Sequence, residues 1–154
     1  MPESVSFEEE LARNGKIAYT NVGVSMRPLI REGRDVMLIE APNSNGFCRW
    51  DTVLFRRPGV IGRGAYVLHR ILKVLPDGTY WIVGDNCISG EIVSEKDILG
   101  TLTQVNRDGK KTIHISDFSY KFYVLFWCKP YHLRFFILRV ISFLRRVKRK
   151  ICGV

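Results

Sequence analysis

The chain has no long apolar run free of charge, no paired cysteine spacing, and beyond Asp117 no acidic residue at all. Each absence removes a class of protein. A membrane-crossing helix needs about 20 largely uncharged residues, and Arg134 and Arg139 interrupt the best candidate, residues 131–151. Cysteines at 48, 87, 128 and 152, with three scattered histidines, make neither a disulfide framework nor a zinc cluster, so reduced thiols are expected and no metal site is read. The first fifteen residues carry Glu3, Glu8, Glu9 and Glu10 and no apolar stretch, so no secretory signal is expected. No internal repeat or low-complexity tract is present.

The net charge of +9 suggests nucleic acid until it is located. Residues 1–118 hold fifteen basic and fifteen acidic side chains, whereas residues 119–154 hold nine basic ones and no acid. The excess belongs to the C-terminal end, which divides the chain into a catalytic-sized unit, 1–118, and a basic tail, 119–154. In that tail, residues 131–151 have helical periodicity. Phe136, Val140, Phe143, Val147 and Ile151 share one face, with Ile137 and Leu144 beside them; Arg134, Arg139, Arg145, Arg146, Arg149 and Lys150 fall mostly opposite. Such a helix fits the headgroup region of an anionic bilayer, the alternative being a helix packed on the domain. Base-stacking aromatics are not interleaved on the basic face, so no nucleic acid is expected. The localisation read from this is peripheral membrane or cytoplasmic.

Ser6-Phe7-Glu8-Glu9 forms a capping-box pattern and Gly15 a stop, predicting a helix over 6–14. Short β-branched and aromatic runs follow, at 17–22, 35–40, 52–55, 66–74, 79–83, 98–106 and 112–115. Pro76-Asp77-Gly78 and Asn106-Arg107-Asp108-Gly109 read as hairpin turns. The fold class is mainly β, with a short N-terminal and an amphipathic C-terminal helix.

Three segments carry chemistry: Gly23-Val24-Ser25-Met26-Arg27-Pro28, Leu68-His69-Arg70-Ile71 and Gly84-Asp85-Asn86. A serine hydroxyl is a weak nucleophile unless a base lies within hydrogen-bond reach, and that base needs a third group to fix its tautomer. Ser25, His69 and Asp85 supply the three types. His69 shares its strand face with Val67 and Ile71; an apolar setting lowers a histidine pKa and keeps the proton-accepting form available. His114 and His132 sit in polar surroundings and are poor candidates for the base.

These segments resemble those of type I signal peptidases and the related LexA-type self-cleaving repressors, across roughly residues 19–106. Ser25-Met26-Arg27-Pro28 matches the nucleophile motif, Val67–Leu72 the base strand with histidine in the base position, and Ile82–Asn86 the Gly-Asp-Asn motif. The resemblance implies a coiled, barrel-like β domain and a serine endopeptidase that uses no cofactor. It acts on an extended peptide with small side chains before the cut. It places Met26 beneath the nucleophile, has Pro28 set the turn, and puts Arg70 and Asn86 among the residues lining the site. For the group orienting His69 it leaves two rivals, Asp85 and, several residues on, Glu91. Many members carry a hydroxyl two residues before the nucleophile to help bind the oxyanion; Gly23 stands there. Gly33-Arg34-Asp35, where the family has Gly directly followed by Asp, predicts a bulge at a strand start. A LexA-like repressor would need a DNA-binding domain, for which the 24 residues before Ser25 leave no room. The rival of another class is a non-catalytic peptide-binding module that retains the cleft.

Overall fold

The computed structural model describes residues 6–20, 23–62 and 65–152. Helix α1, Phe7–Asn14, begins at the expected capping box: the Glu9 N–H donates to Ser6 Oγ and the Ser6 N–H to Glu9 Oε2, each at 3.2 Å. It ends where the Gly15 N–H returns to the Leu11 carbonyl. Eight strands follow: β1 Lys16–Thr20, β2 Asp35–Glu40, β3 Thr52–Arg56, β4 Tyr66–Val74, β5 Tyr80–Val83, β6 Gly90–Val93, β7 Ile98–Arg107 and β8 Lys111–His114. The expected extension of β1 to Val22 lies outside the described residues. Strand β6 is not among the sequence-based expectations.

The strands make one mainly antiparallel sheet in the order β1-β2-β7-β3-β4-β5-β6, with β8 added to β7. Long β7 is the pivot. Thr101–Arg107 pair with β2 on one edge, while the other edge serves β3 up to Thr101 and β8 from Gln104 onward. Strands β1 and β6 end the path without pairing to each other, so the sheet is not closed. Leu11, Ile17, Met37, Ile39, Leu102 and Val105 bury one apolar cluster, and Val53, Phe55, Ile71, Ile82 and Val93 another. The bulge expected at the start of β2 is not there: Gly33 and Arg34 belong to the preceding turn, and the register slips instead between Leu38 and Ile39.

The C-terminal segment folds as an arm: α2 Phe118–Tyr123, a π-helical turn Val124–Cys128, and α3 Tyr131–Cys152. The π turn is closed by the Lys129 N–H on the Val124 carbonyl, 2.9 Å. No helix among the described residues is long and apolar enough to cross a membrane. The boundary placed at 118/119 corresponds to no break in packing. Tyr120, Cys128, Tyr131 and Arg134 are all buried, and Tyr131 and Phe135 set their rings against Trp81 of β5. Arg134, expected on the polar outer face, is 1% exposed, whereas Phe136 and Phe143 of the apolar face point to solvent. The Ile151 side chain lies outside the described residues.

Candidate active site

Ser25 sits in the loop between β1 and β2, and this loop is tied down at both ends. Met26, Leu29 and Ile30 anchor it in the core, and Arg107 Nη2 donates to the Leu29 carbonyl at 2.6 Å. The Asn86 N–H donates to the Ser25 carbonyl at 2.7 Å, and Asn86 Nδ2 to the Val24 carbonyl at 3.1 Å. Asn86 is therefore a clamp on the Ser25 loop. Gly23 has φ 111°, a backbone conformation that disfavours any side chain. Gly23 supplies no side-chain hydroxyl, and its backbone conformation favours glycine.

His69 comes from the middle of β4, is 7% exposed, and lies against the Phe55 ring at 6.2 Å between centroids. Gly84 marks where the two segments meet. A Cβ on it would stand 2.7 Å from the Ser25 carbonyl oxygen, 2.9 Å from His69 Nε2 and 2.8 Å from Cys87 Sγ. Only glycine fits among backbone, ring and thiol, and the Ser25 carbonyl and the His69 imidazole are thus neighbours across this one atom's space. Among the described residues, no hydrogen bond joins the Ser25 hydroxyl to the ring. Catalytic hydrogen bonds are often long without substrate and tighten when it binds.

Neither rival acid hydrogen-bonds to His69, whose Nδ1 is buried without a partner. For Asp85 the pleat explains why. Successive strand residues point to opposite faces, so His69 and Arg70 cannot look the same way. Asp85 belongs to Arg70's side: its carboxylate takes two hydrogen bonds from Arg70 (2.9 and 2.7 Å), one from Tyr123 (2.9 Å) and one from Arg134 (3.3 Å). Burial opposes ionisation there, but Arg70, Arg134 and Tyr123 outweigh it and hold the carboxyl below the usual range. Asp85 is a structural hub rather than the orienting acid. Arg70, fully buried, touches Asp85, the Trp50 carbonyl and Tyr120, so it is not placed to line a substrate. Met26, equally buried, lies in the core. Pro28 is exposed, beside a hollow shared with Arg107 and Tyr123.

Glu91 is on His69's side. Ile71 pairs with Ile82 and Ile82 with Glu91, so all three share the face of His69. The Glu91 carboxylate is gripped by Arg57 at 2.6 and 2.5 Å, which holds its pKa down. Burial lowers the His69 pKa from 6.5 to about 4; Glu91 opposes the shift, Arg57 adds to it, and Asp85 opposes it less than Glu91 does. The result is a neutral imidazole beside an Arg57–Glu91 pair that can respond to a charge forming on it.

Sequence reasoning missed the arm's contribution. Tyr123, Arg134 and Cys128 close over Asp85, and Trp127 Nε1 donates to the Asp85 carbonyl at 3.2 Å. The lone arginine in an apolar stretch and the Tyr120/Tyr123 spacing were the available signals. A groove of about 380 Å³ opens beside Cys87, between Asn86–Ser89 and Leu138, Ile141, Ser142 and Arg145 of α3. His114 and His132 are exposed. No three His, Cys, Asp or Glu side chains among the described residues gather as a metal site. No family model, curated protein or solved structure matches this chain.

Proposed function

We propose that the protein is a serine endopeptidase of the signal peptidase type, with Ser25 as nucleophile and His69 as general base on a coiled β domain. The observation that carries this reading is the meeting at Gly84, where the Ser25 residue and a neutral His69 Nε2 border one space too small for a methyl group. In this reading Ser25 Oγ attacks the scissile carbonyl as its proton passes to His69 Nε2. The imidazolium that forms is stabilised by the Glu91 carboxylate and hands the proton to the leaving amine. Water then repeats the sequence in reverse on the acyl-enzyme, giving back free Ser25 and a carboxylate product. The substrate chain lies extended near Asn86. Peripheral placement on an anionic surface through residues 131–151 belongs to the same reading.

The experiment is covalent labelling with a serine-reactive fluorophosphonate, followed by cleavage of peptides with small residues before the cut. Ser25→Ala and His69→Ala each lower cleavage by roughly 10⁴-fold, and the double variant is barely worse, because the two act as one unit. His114→Ala stays within about threefold. The absent Ser25–His69 hydrogen bond favours one second reading, a peptide-binding module that retains the cleft without turnover. Labelling that survives Ser25→Ala, or peptide binding with no cleavage, decides for that module.

A further inference from the structure

The helical arm buries Tyr120, Cys128 and Tyr131 but leaves two rows of apolar residues on the outside. Phe118, Phe122 and Phe126 recur every four residues along α2 and the π turn, with ring centroids 6.2 and then 4.2 Å apart. They are 82%, 51% and 60% exposed. Along α3, Leu133, Phe136, Val140, Phe143 and Leu144 form a second exposed row. At 100° per residue, Arg139, Arg146 and Lys150 run along its flank. Contiguous apolar rows of this kind are rarely left in water and mark an interaction surface.

We propose that Phe118, Phe122 and Phe126 form an insertion ridge that, with the outer row of α3, docks this protein on an anionic lipid bilayer. The inference rests on the peripheral placement proposed above and names the surface responsible, including a phenylalanine ridge that lies outside residues 131–151. Charge selects the occupant. From Phe118 to the end of the chain there are nine basic residues and no acidic one. A second copy bound about a twofold axis would set like charges against each other. A bilayer with anionic headgroups neutralises them while its acyl boundary takes up the phenylalanines. The ridge itself carries one cation, Lys121, so it lacks the basic groove that tracks a nucleic-acid backbone. Because Tyr123, Trp127 and Arg134 of the same arm hold Asp85, the surface that meets lipid is braced directly against the Gly84–Asn86 turn.

The test is partitioning of the full chain onto vesicles of phosphatidylglycerol and phosphatidylcholine, against phosphatidylcholine alone, at low and high salt. The intact protein should prefer the anionic vesicles and lose affinity with salt. Replacing Phe118, Phe122 and Phe126 together by serine should weaken partitioning roughly 100-fold, while replacing all three by leucine should retain it within about tenfold. Circular dichroism and thermal melting should be unchanged in both, since all three rings are exposed. If the serine variant fails to fold, loss of binding by the folded leucine variant counts as the negative result and retention as the positive one. An intact protein that ignores anionic vesicles overturns the peripheral placement and the ridge together. Binding equal to wild type in the serine variant overturns the ridge alone. Self-association in lipid-free solution that the serine variant abolishes, or tighter binding to duplex DNA than to vesicles, assigns the surface to another occupant and overturns the inference.

Discussion

The sheet and the helical arm solve burial in opposite ways. In β4 and β5, Leu68, Ile71, Leu72, Ile82 and Val83 are buried, and Lys73 and Val74 stand at the rim. In α3 the most enclosed side chain is an arginine, and Phe136 and Phe143 face outward. The difference follows from what each element finds opposite it. Strands meet mostly other apolar strands, so burial of apolar surface decides their faces, with Arg70 of β4, fully buried against Asp85, the exception. The arm meets a carboxylate, Asp85, already enclosed by the sheet. A buried charge left partly unpaired is costly enough to draw in Arg134 and Tyr123 in preference to an apolar row. An arm turned in this way has its apolar face free.

The largest effect should come from removing that region. A chain ending at Asp117 lacks Tyr120, Tyr123, Cys128 and Arg134 at once and should show no cooperative unfolding transition. A chain ending at Leu144 should melt within about 1 kcal/mol of the full protein, because few buried groups lie beyond that point. A cooperative transition in the shorter chain would mean that the arm is an independent tail after all.

Next in size are single side chains at the hub. Asp85→Ala strands Arg70 and Arg134 as buried cations and should cost about 3–5 kcal/mol in denaturant unfolding. Arg134→Ala should cost about 1–3 kcal/mol, and Phe136→Ser within about 0.5 kcal/mol. That ranking inverts the usual one for a surface helix, and equal losses at Arg134 and Phe136 would dissolve the contrast between the arm's two faces. Smaller still is Glu91→Gln. In the proposed peptidase reading Glu91 supports positive charge on His69 and leaves Asp85 untouched, so peptide cleavage should fall roughly tenfold with stability nearly unchanged. An unaltered rate would remove Glu91 from the catalytic account.

The finest measurement is pH. The folded protein holds His69 at about 4 against an ordinary 6.5, so between those values the unfolded chain binds a proton that the folded one does not. Stability should therefore decline as pH falls from about 6.5 toward 4 and gain nothing from His69 above 6.5. In the proposed peptidase reading the acid limb of kcat/KM should lie near pH 4 rather than 6.5, and a limb at 6.5 would show a solvated ring. The lowered carboxyl pKa values of Asp85 and Glu91 act in the same sense but at lower pH, since their charged forms are held through most of that window.

Much of the architecture was legible in the residues. Ser6 and Glu9 marked the first helix, and β-branched runs bounded by Gly, Pro and Asp marked seven strands to within a few residues. The eighth, Gly90–Val93, was not legible. Four residues with an exposed isoleucine and a central glutamate have too little alternation to stand out, and only pairing with β5 makes them a strand. At the site, the sequence singled out the Ser25, His69 and Gly84–Asn86 segments, and the fold brings the Ser25 carbonyl and His69 Nε2 together at Gly84. The role assigned to Asp85 could have been questioned from the sequence itself, because adjacent His69 and Arg70 point to opposite faces and one acid cannot serve both.

By itself, then, the sequence determined which residues share a face: the two-residue period of β4, the helical period of α3, and the separation of a charge-balanced body from a wholly basic end. Local geometry repeats along the chain, so such relations need no knowledge of what packs where. The tertiary structure alone decided which face is covered and which acid meets which base. Asp85 goes to Arg70 and Arg134, Glu91 pairs with Arg57 on His69's side of the sheet, and the arm leaves its two apolar rows outward. Those outcomes depend on contacts between segments 15 to 49 residues apart, where the energy of enclosing a charge outweighs local pattern.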